Sequence, residues 1–197
     1  MVDLDADFYA FSGHKMFGPN GIGVLWNRRP ILDDLLPAFG GGGMVYSVTT
    51  DGAEYADPPA RYEAGTPPIA QAIGLAAAAS WIADLDQAML SAHIDGLTER
   101  ILSGLTAIPG LRIIGPATTQ QRLGLISFDI EGVHPHDISQ ILDAHNVAVR
   151  GGHHCAQPLM EAFAISSTAR ASLAPYNDDS DIDALLSGLD DAIGKLR

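Results

Sequence analysis

From residue 67 to residue 197 the apolar pattern switches repeatedly between helical spacing and short continuous runs, with glycine or proline near most of the switches. A small sheet with helices packed on it accommodates that alternation, so this part of the chain reads as a compact α+β or α/β layer. Pro67 and Pro68 open an Ala-rich helix that Thr66 can cap and that runs to about Leu85. Leu90, Ile94, Leu97, Ile101 and Leu105 recur at helical spacing until Pro109-Gly110 stops them. Strands are predicted over 111–114, 123–130, 147–150 and 169–173, and a helix over 135–145. The last helix follows Asn177, with Asp178, Asp179, Asp181 and Asp183 at its positive dipole end and Lys195 and Arg197 at its negative one. Its buried stripe is Ile182, Leu185, Leu186, Leu189, Ile193 and Leu196.

The first part of the chain lacks this regularity. Phe8-Tyr9-Ala10-Phe11 and Ile22-Gly23-Val24-Leu25-Trp26 read as strands on either side of Ser12-Gly13-His14-Lys15-Met16-Phe17-Gly18-Pro19-Asn20-Gly21. They are apolar on both faces with no helix between them, as strands from the middle of a larger parallel sheet would be. Four glycines at 40–43 then open a stretch to Pro59 that is predicted to be loop. The expected division is a first unit over 1–70 and a second over 71–197.

With 24 acidic against 11 basic side chains the formal charge is −13, the wrong sign for a nucleic-acid backbone. The acidic N-terminus is not that of a secretory signal, and the apolar run at 73–83 is too short to span a bilayer, so no membrane is expected. Cys155 is the sole cysteine, which excludes an intrachain disulfide and fits a reducing, cytoplasmic setting.

Four stretches hold side chains with chemical potential. Lys15 is one of two lysines, in a tight glycine-flanked loop after an aromatic strand. An amine there can form an imine with an aldehyde, and Ser12, Gly13 and His14 offer a hydroxyl, an open N–H and an imidazole suited to a phosphate. The combination suggests pyridoxal 5′-phosphate, against the plainer reading of a surface lysine. Arg150-Gly151-Gly152-His153-His154-Cys155 sets a thiol beside two imidazoles and an arginine, surroundings that favour thiolate and a nucleophilic role over a buried inert cysteine. Zinc on His153, His154 and Cys155 is disfavoured because consecutive residues do not readily converge on a tetrahedral ion, so no metal is expected. Thr66, after Glu63-Ala64-Gly65, can place a hydroxyl at a helix start, where an anion can sit. Arg170, in an apolar strand-like run, needs an acceptor: either a ligand carboxylate or an internal acid.

In order and spacing these stretches, with Gly18-Pro19, Pro158-Leu159-Met160, Arg170-Ala171-Ser172-Leu173-Ala174 and Tyr176-Asn177, resemble the SUF-type (SufS-like, group II) cysteine desulfurases of aminotransferase class V along the whole chain. The resemblance implies the C-terminal portion of a fold-type I PLP-dependent transferase, an α/β fold. Residues 1–70 would be a remnant of the PLP-binding large domain, with the dimer-interface loop. Residues 71–197 would be the small α+β domain that carries the persulfide cysteine. It further implies that Lys15 forms the imine with the cofactor, that Ser12 and His14 hold its phosphate, and that Thr66 reaches the phosphate in the partner subunit of a homodimer. Arg150 and Arg170 would bind the carboxylate of L-cysteine. Cys155 would take the sulfur as a persulfide, leaving alanine, and pass it to a SUF sulfur-acceptor protein for iron–sulfur cluster assembly.

Members of that family begin well upstream of this chain and there supply an aspartate for the pyridine nitrogen, a ring-stacking histidine and further phosphate ligands. The expectation is therefore low or no activity, and weak or absent PLP, for the isolated chain. The competing expectations are a selenocysteine lyase-type homologue and a non-catalytic fragment that dimerises or docks a sulfur acceptor.

Overall fold

The structure is a computed structural model and describes residues 2–120 and 122–197. It divides into two compact units, Met1–Leu85 and Asp86–Arg197.

In the first unit β1 (Phe8–Ser12) pairs with β2 (Gly23–Asn27) in antiparallel register, from Phe8 opposite Asn27 to Ser12 opposite Gly23. This corrects the expectation of parallel strands: the short 13–22 connection permits a hairpin-like return, whereas a parallel crossover needs a dozen residues or more. After α1 (Arg29–Asp34) comes a second antiparallel pair, β3 (Val45–Val48) with β4 (Ala53–Tyr55), where the sequence pointed to loop. Asp51-Gly52 makes the reversal, with the Thr49 N–H donating to the Gly52 carbonyl at 2.8 Å. The unit closes with α2 (Ile69–Asp84). Thr66 does not cap this helix: Pro68 occupies the cap position, with no side-chain bond to the first turn. Buried apolar side chains are few, Met44, Ala56 and Leu75, while Leu36 and Phe39 are each 81% exposed. The unit extends beyond residue 70 to include α2, whose Gly74 and Leu75 lie against Pro19 and Gly18 of the β1–β2 connection.

The second unit has a larger core. α3 (Gln87–Thr106) starts at Asp86, whose carboxylate accepts from the N–H groups of Ala88 and Met89. β5 (Leu111–Ile114), β6 (Leu125–Ile130), β7 (Arg150–Gly152) and β8 (Thr168–Ser172) form one antiparallel sheet in the order β5-β6-β8-β7. α4 (Pro135–Ala144) and α6 (Asp179–Leu196) join α3 on one face of it, and α5 (Gln157–Ala162) is a short helix just before β8. α6 begins with a capping box in which Asp178 and Asp181 satisfy each other's end of the first turn.

Ile126, Phe128 and Ile130 of β6 and Ala169 and Ala171 of β8 point into a cluster with Leu97, Ile101 and Leu105 of α3, Ile138 and Leu142 of α4, and Ile182, Leu185 and Leu189 of α6. Of the stripe expected on α6, Leu186 and Ile193 are only partly buried and Leu196 is exposed. The strand expected at 147–150 lies later, at Arg150–Gly152. Val147 is drawn back toward α4, its N–H bonded to the Leu142 carbonyl at 2.9 Å, and with Val149 it packs on the core instead of joining the ladder.

Where α4 crosses α6, a Cβ on Gly188 would lie 2.6 Å from Leu142 Cδ2, in a fully buried position. Gly188→Ala gains helix propensity of up to about 1 kcal/mol, but overpacking such a contact costs roughly 1–3 kcal/mol. A lower melting temperature is therefore expected, measurable by circular dichroism.

Candidate functional site

In the first unit the connection after β1 is shaped by a buried glycine. Gly13 donates its N–H to the Ile22 carbonyl at 2.9 Å, and its own carbonyl accepts from the N–H groups of Met16 and Gly18, both at 3.0 Å. A Cβ at this position would stand 2.9 Å from Ile22 Cγ2 and 3.2 Å from the Ile22 carbonyl oxygen, so only glycine closes the turn. The turn presents Ser12 half-buried and His14 and Lys15 exposed. A hydroxyl, an imidazole and a primary amine thus share one rigid turn, a donor set that fits a cofactor carrying a phosphate and an aldehyde. Thr66 is also exposed, just past Gly65, whose N–H bonds to the Gly42 carbonyl at 2.8 Å and so ties this segment to the glycine run.

In the second unit the site lies on the sheet face opposite α3, α4 and α6. Residues paired across antiparallel strands project to the same side. Ile114 of β5 pairs with Ser127 of β6, Ser127 with Arg170 of β8, and Arg170 with Arg150 of β7. This row therefore crosses the whole sheet on its open face. It sets Arg150 and Arg170 at directly opposed positions on neighbouring strands, and among the described residues neither forms an ion pair. Arg170 Nε is buried and has no partner. The internal-acid reading of Arg170 thus finds no support among the described residues, and two facing cations with an unfilled donor are suited to an external anion.

Next to this row the chain turns back between β7 and α5. The Ala156 N–H donates to the His153 carbonyl at 2.9 Å, and the two residues between, His154 and Cys155, have φ of 56° and 59°. Left-handed backbone in two successive non-glycine residues is strained, the kind of outlier found at functional sites. Cys155 is exposed, and Arg150 Nη2 donates toward its sulfur at 3.8 Å. Arg150, His153, His154, Cys155, Gln157 and Pro158 line a concavity of about 410 Å³. Arg170 faces a neighbouring concavity of about 310 Å³, floored by Met160 and Phe163 and sharing His154 with the first.

His154 Nε2 lies 2.7 Å from Thr168 Oγ1 and 3.1 Å from the Thr168 carbonyl oxygen. Burial, together with the charge of Arg170, holds the imidazole below its usual pKa against the opposing effect of the Thr168 bond. Among the described residues no group of three His, Cys, Asp or Glu side chains could hold a metal ion, and no helix is long and apolar enough to cross a membrane.

The sequence-predicted residues thus fall in two places: Ser12, His14, Lys15 and Thr66 in the first unit, and Arg150, Cys155 and Arg170 together in the second. Sequence reasoning gave no role to Thr168 and took His154 only as one of two imidazoles beside the thiol; its anchor to a strand fourteen positions on was not visible.

Residues 1–185 match the model of the family described as aminotransferase class-V. The chain belongs to that family. It is 48% identical over 187 residues to a protein named probable cysteine desulfurase from Streptomyces coelicolor, an alignment covering 95% of this chain and 45% of that protein. It is 49% identical over 186 residues to a protein named probable cysteine desulfurase 2 from Mycobacterium leprae, covering 94% of this chain and 44% of the other. The chain spans about half the length of the curated relatives it matches. Among solved structures, the Escherichia coli cysteine desulfurase CsdA superposes with a TM-score of 0.93 at 42% identity, over all of this chain and 48% of its own. The apo cysteine desulfurase of Thermococcus onnurineus gives 0.93 at 39% identity, over 99% of this chain and 49% of its own. The fold of this class-V chain is therefore the mixed α/β, fold-type I architecture of these enzymes, over half of its extent.

Because His154 takes up its proton at lower pH in the folded chain than in the unfolded one, acidification through about pH 6.5 favours the unfolded state. Stability should fall as pH drops from neutral toward 5, and His154→Gln should flatten that part of the curve in urea titrations; an unchanged slope would contradict a desolvated His154.

Proposed function

We propose that this chain is part of a PLP-dependent cysteine desulfurase that converts L-cysteine to L-alanine and moves the sulfur onto Cys155. The observation that carries the reading is the strand-paired Arg150 and Arg170, neither in an ion pair among the described residues, beside an exposed thiol that Arg150 contacts. Two guanidinium forks on one sheet face bind a carboxylate from two sides and fix an amino acid in one orientation. Ser12 and His14 would hold the cofactor phosphate, and Lys15 would present its amine to the cofactor aldehyde. When bound, the cofactor provides an electron sink for charge at the substrate α-carbon.

This chain's residues then have defined tasks. Arg150 and Arg170 would grip the carboxylate, and the Lys15 amine would move the α-proton. The Cys155 thiolate attacks the substrate sulfur: a sulfur–sulfur bond forms and the carbon–sulfur bond breaks. Overall, cysteine plus thiolate gives alanine plus persulfide anion; the carbon gains the hydrogen that the thiol carried and is reduced, while the sulfur is oxidised to the sulfane level. No further oxidant or reductant is needed.

The finer assignments belong to the same proposal. The first unit, for which the sequence put the boundary at residue 70, belongs with α2 to the cofactor-binding large domain, and Asp86–Arg197 to the small domain that presents Cys155. Thr66 bonds the cofactor phosphate in the second copy of a homodimer, for which the exposed Leu36 and Phe39 of the first unit offer apolar surface. Exposure of Cys155 suits delivery of its sulfur to an acceptor protein of the SUF type in the cytoplasm.

The isolated chain should bind PLP weakly and form little alanine; mixed with the upstream half of a relative it should give a visible absorbance band with PLP that Lys15→Ala removes, and Cys155→Ser should keep the band while cutting alanine formation from L-cysteine by roughly a hundredfold or more. Absence of the band even with the upstream half supplied would overturn the cofactor assignment, and alanine formation unaffected by Cys155→Ser in that mixture would overturn the sulfur-transfer role.

A further inference from the structure

We infer that His154 is a positioning residue for the thiol: its bonds to Thr168 hold the left-handed turn that presents Cys155 to the Arg150 guanidinium. The functional meaning of this rests on the sulfur-accepting role proposed for Cys155, but the structural claim stands on its own observations.

The turn is costly by itself. Two successive residues with positive φ are the pattern of a tight reversal that asparagine and glycine adopt readily, and the chain instead places a ring and a thiol there. Each such residue costs on the order of the free energy of a weak bond, so the conformation persists only where something else holds it. The Ala156 N–H to His153 carbonyl bond closes the turn at its base and does not fix its tip. The tip is fixed by the ring of His154. Its Nε2 reaches both the hydroxyl and the carbonyl of Thr168, a residue with no exposed surface in the strand next to β7.

The other ring nitrogen agrees with this assignment. His154 Nδ1 is buried with no partner, so a neutral ring that carries its proton on Nε2 leaves no buried N–H unsatisfied. A ring held in this way gives its own backbone, and therefore the next residue's Cα–Cβ direction, little freedom. Cys155 is that next residue, and its sulfur ends 3.8 Å from Arg150 Nη2. Arg150 and Thr168 lie on paired strands, with Gly152 opposite Thr168 and Arg150 opposite Arg170. The anchor and the guanidinium therefore belong to one rigid ladder, and the thiol is held against it at a single point.

The chain's single cysteine makes alkylation with iodoacetamide a direct readout. In the unaltered background Arg150→Gln should slow alkylation at neutral pH about fivefold, the scale of one exposed contact to a charged group. His154→Gly, which suits the turn but removes the ring, should slow it to a similar extent, and Thr168→Val partly, since the carbonyl acceptor remains. The decisive measurement is the double variant. With the ring gone the guanidinium no longer meets the sulfur, so adding Arg150→Gln to His154→Gly should change the rate less than twofold, a coupling that general loosening of the fold would not produce. Circular dichroism checks folding of each variant, and should His154→Gly fail to fold, the same cycle is run with Thr168→Val, where the Arg150 effect should shrink. An Arg150 effect that persists in full in the cycle overturns the positioning role and leaves the sulfur-accepting role standing. No Arg150 effect in the unaltered background also overturns the positioning role, because the contact it serves then does not act on the thiol, and the sulfur-accepting role is still judged by Cys155→Ser.

Discussion

Two arginines at paired positions of neighbouring strands, on the same side of the sheet, are the constraint around which the second unit is arranged. Arg150 and Arg170 repel each other, and among the described residues no carboxylate relieves them. A sheet tolerates such a pair when the rest of the fold over-determines its geometry. Here the opposite face holds one side of the pair: Ile126, Phe128 and Ile130 interlock with Ala169 and Ala171 and with three helices, which fixes β8 and Arg170, and the β7–β8 ladder sets Arg150 opposite it. Binding of an anion between the two arginines is the relief the sequence leaves open.

The sheet therefore serves two purposes that alternate residue by residue along β8. Ala169 and Ala171 look into the core, and Thr168 and Arg170 look out to the site. Thr168 anchors the imidazole, Arg170 holds a buried Nε with no partner, and the core between them fixes their spacing. A one-residue slip of this strand would bury an arginine and expose the alanines, so the packing that stabilises the unit also sets the register of its chemistry. Through the turn between β7 and α5, the thiol borrows the same register.

The first unit is organised differently. Its buried apolar side chains are few, and its chemistry sits on a turn closed by hydrogen bonds to Gly13 and Ile22. Such a turn is rigid locally without needing a large core. That explains how an amine, an imidazole and a hydroxyl can be presented together on a unit whose apolar strands remain largely exposed. The aromatic and aliphatic side chains left in solvent are those expected of surfaces that meet further protein, in keeping with relatives about twice as long.

Much of this was legible in the sequence. The helical stripes of α3 and α6, the acids that open α6, and the glycine-flanked lysine all act through residues near one another in the chain, where period and spacing carry the information. The family resemblance was legible for the same reason, since its motifs are short and local. What the sequence did not decide were the relations between distant segments. The antiparallel return of β1 and β2, the displacement of β7 to Arg150–Gly152 and the failure of Thr66 to cap α2 each depend on which backbone groups find partners elsewhere. The bond from His154 to Thr168 spans fourteen positions, and the opposition of Arg150 and Arg170 twenty, so neither leaves a periodic trace. Residue types set what chemistry was possible; the pairing of β8 with both β6 and β7 decided which of those groups share a face, because only strand register brings remote side chains to the same side of a sheet.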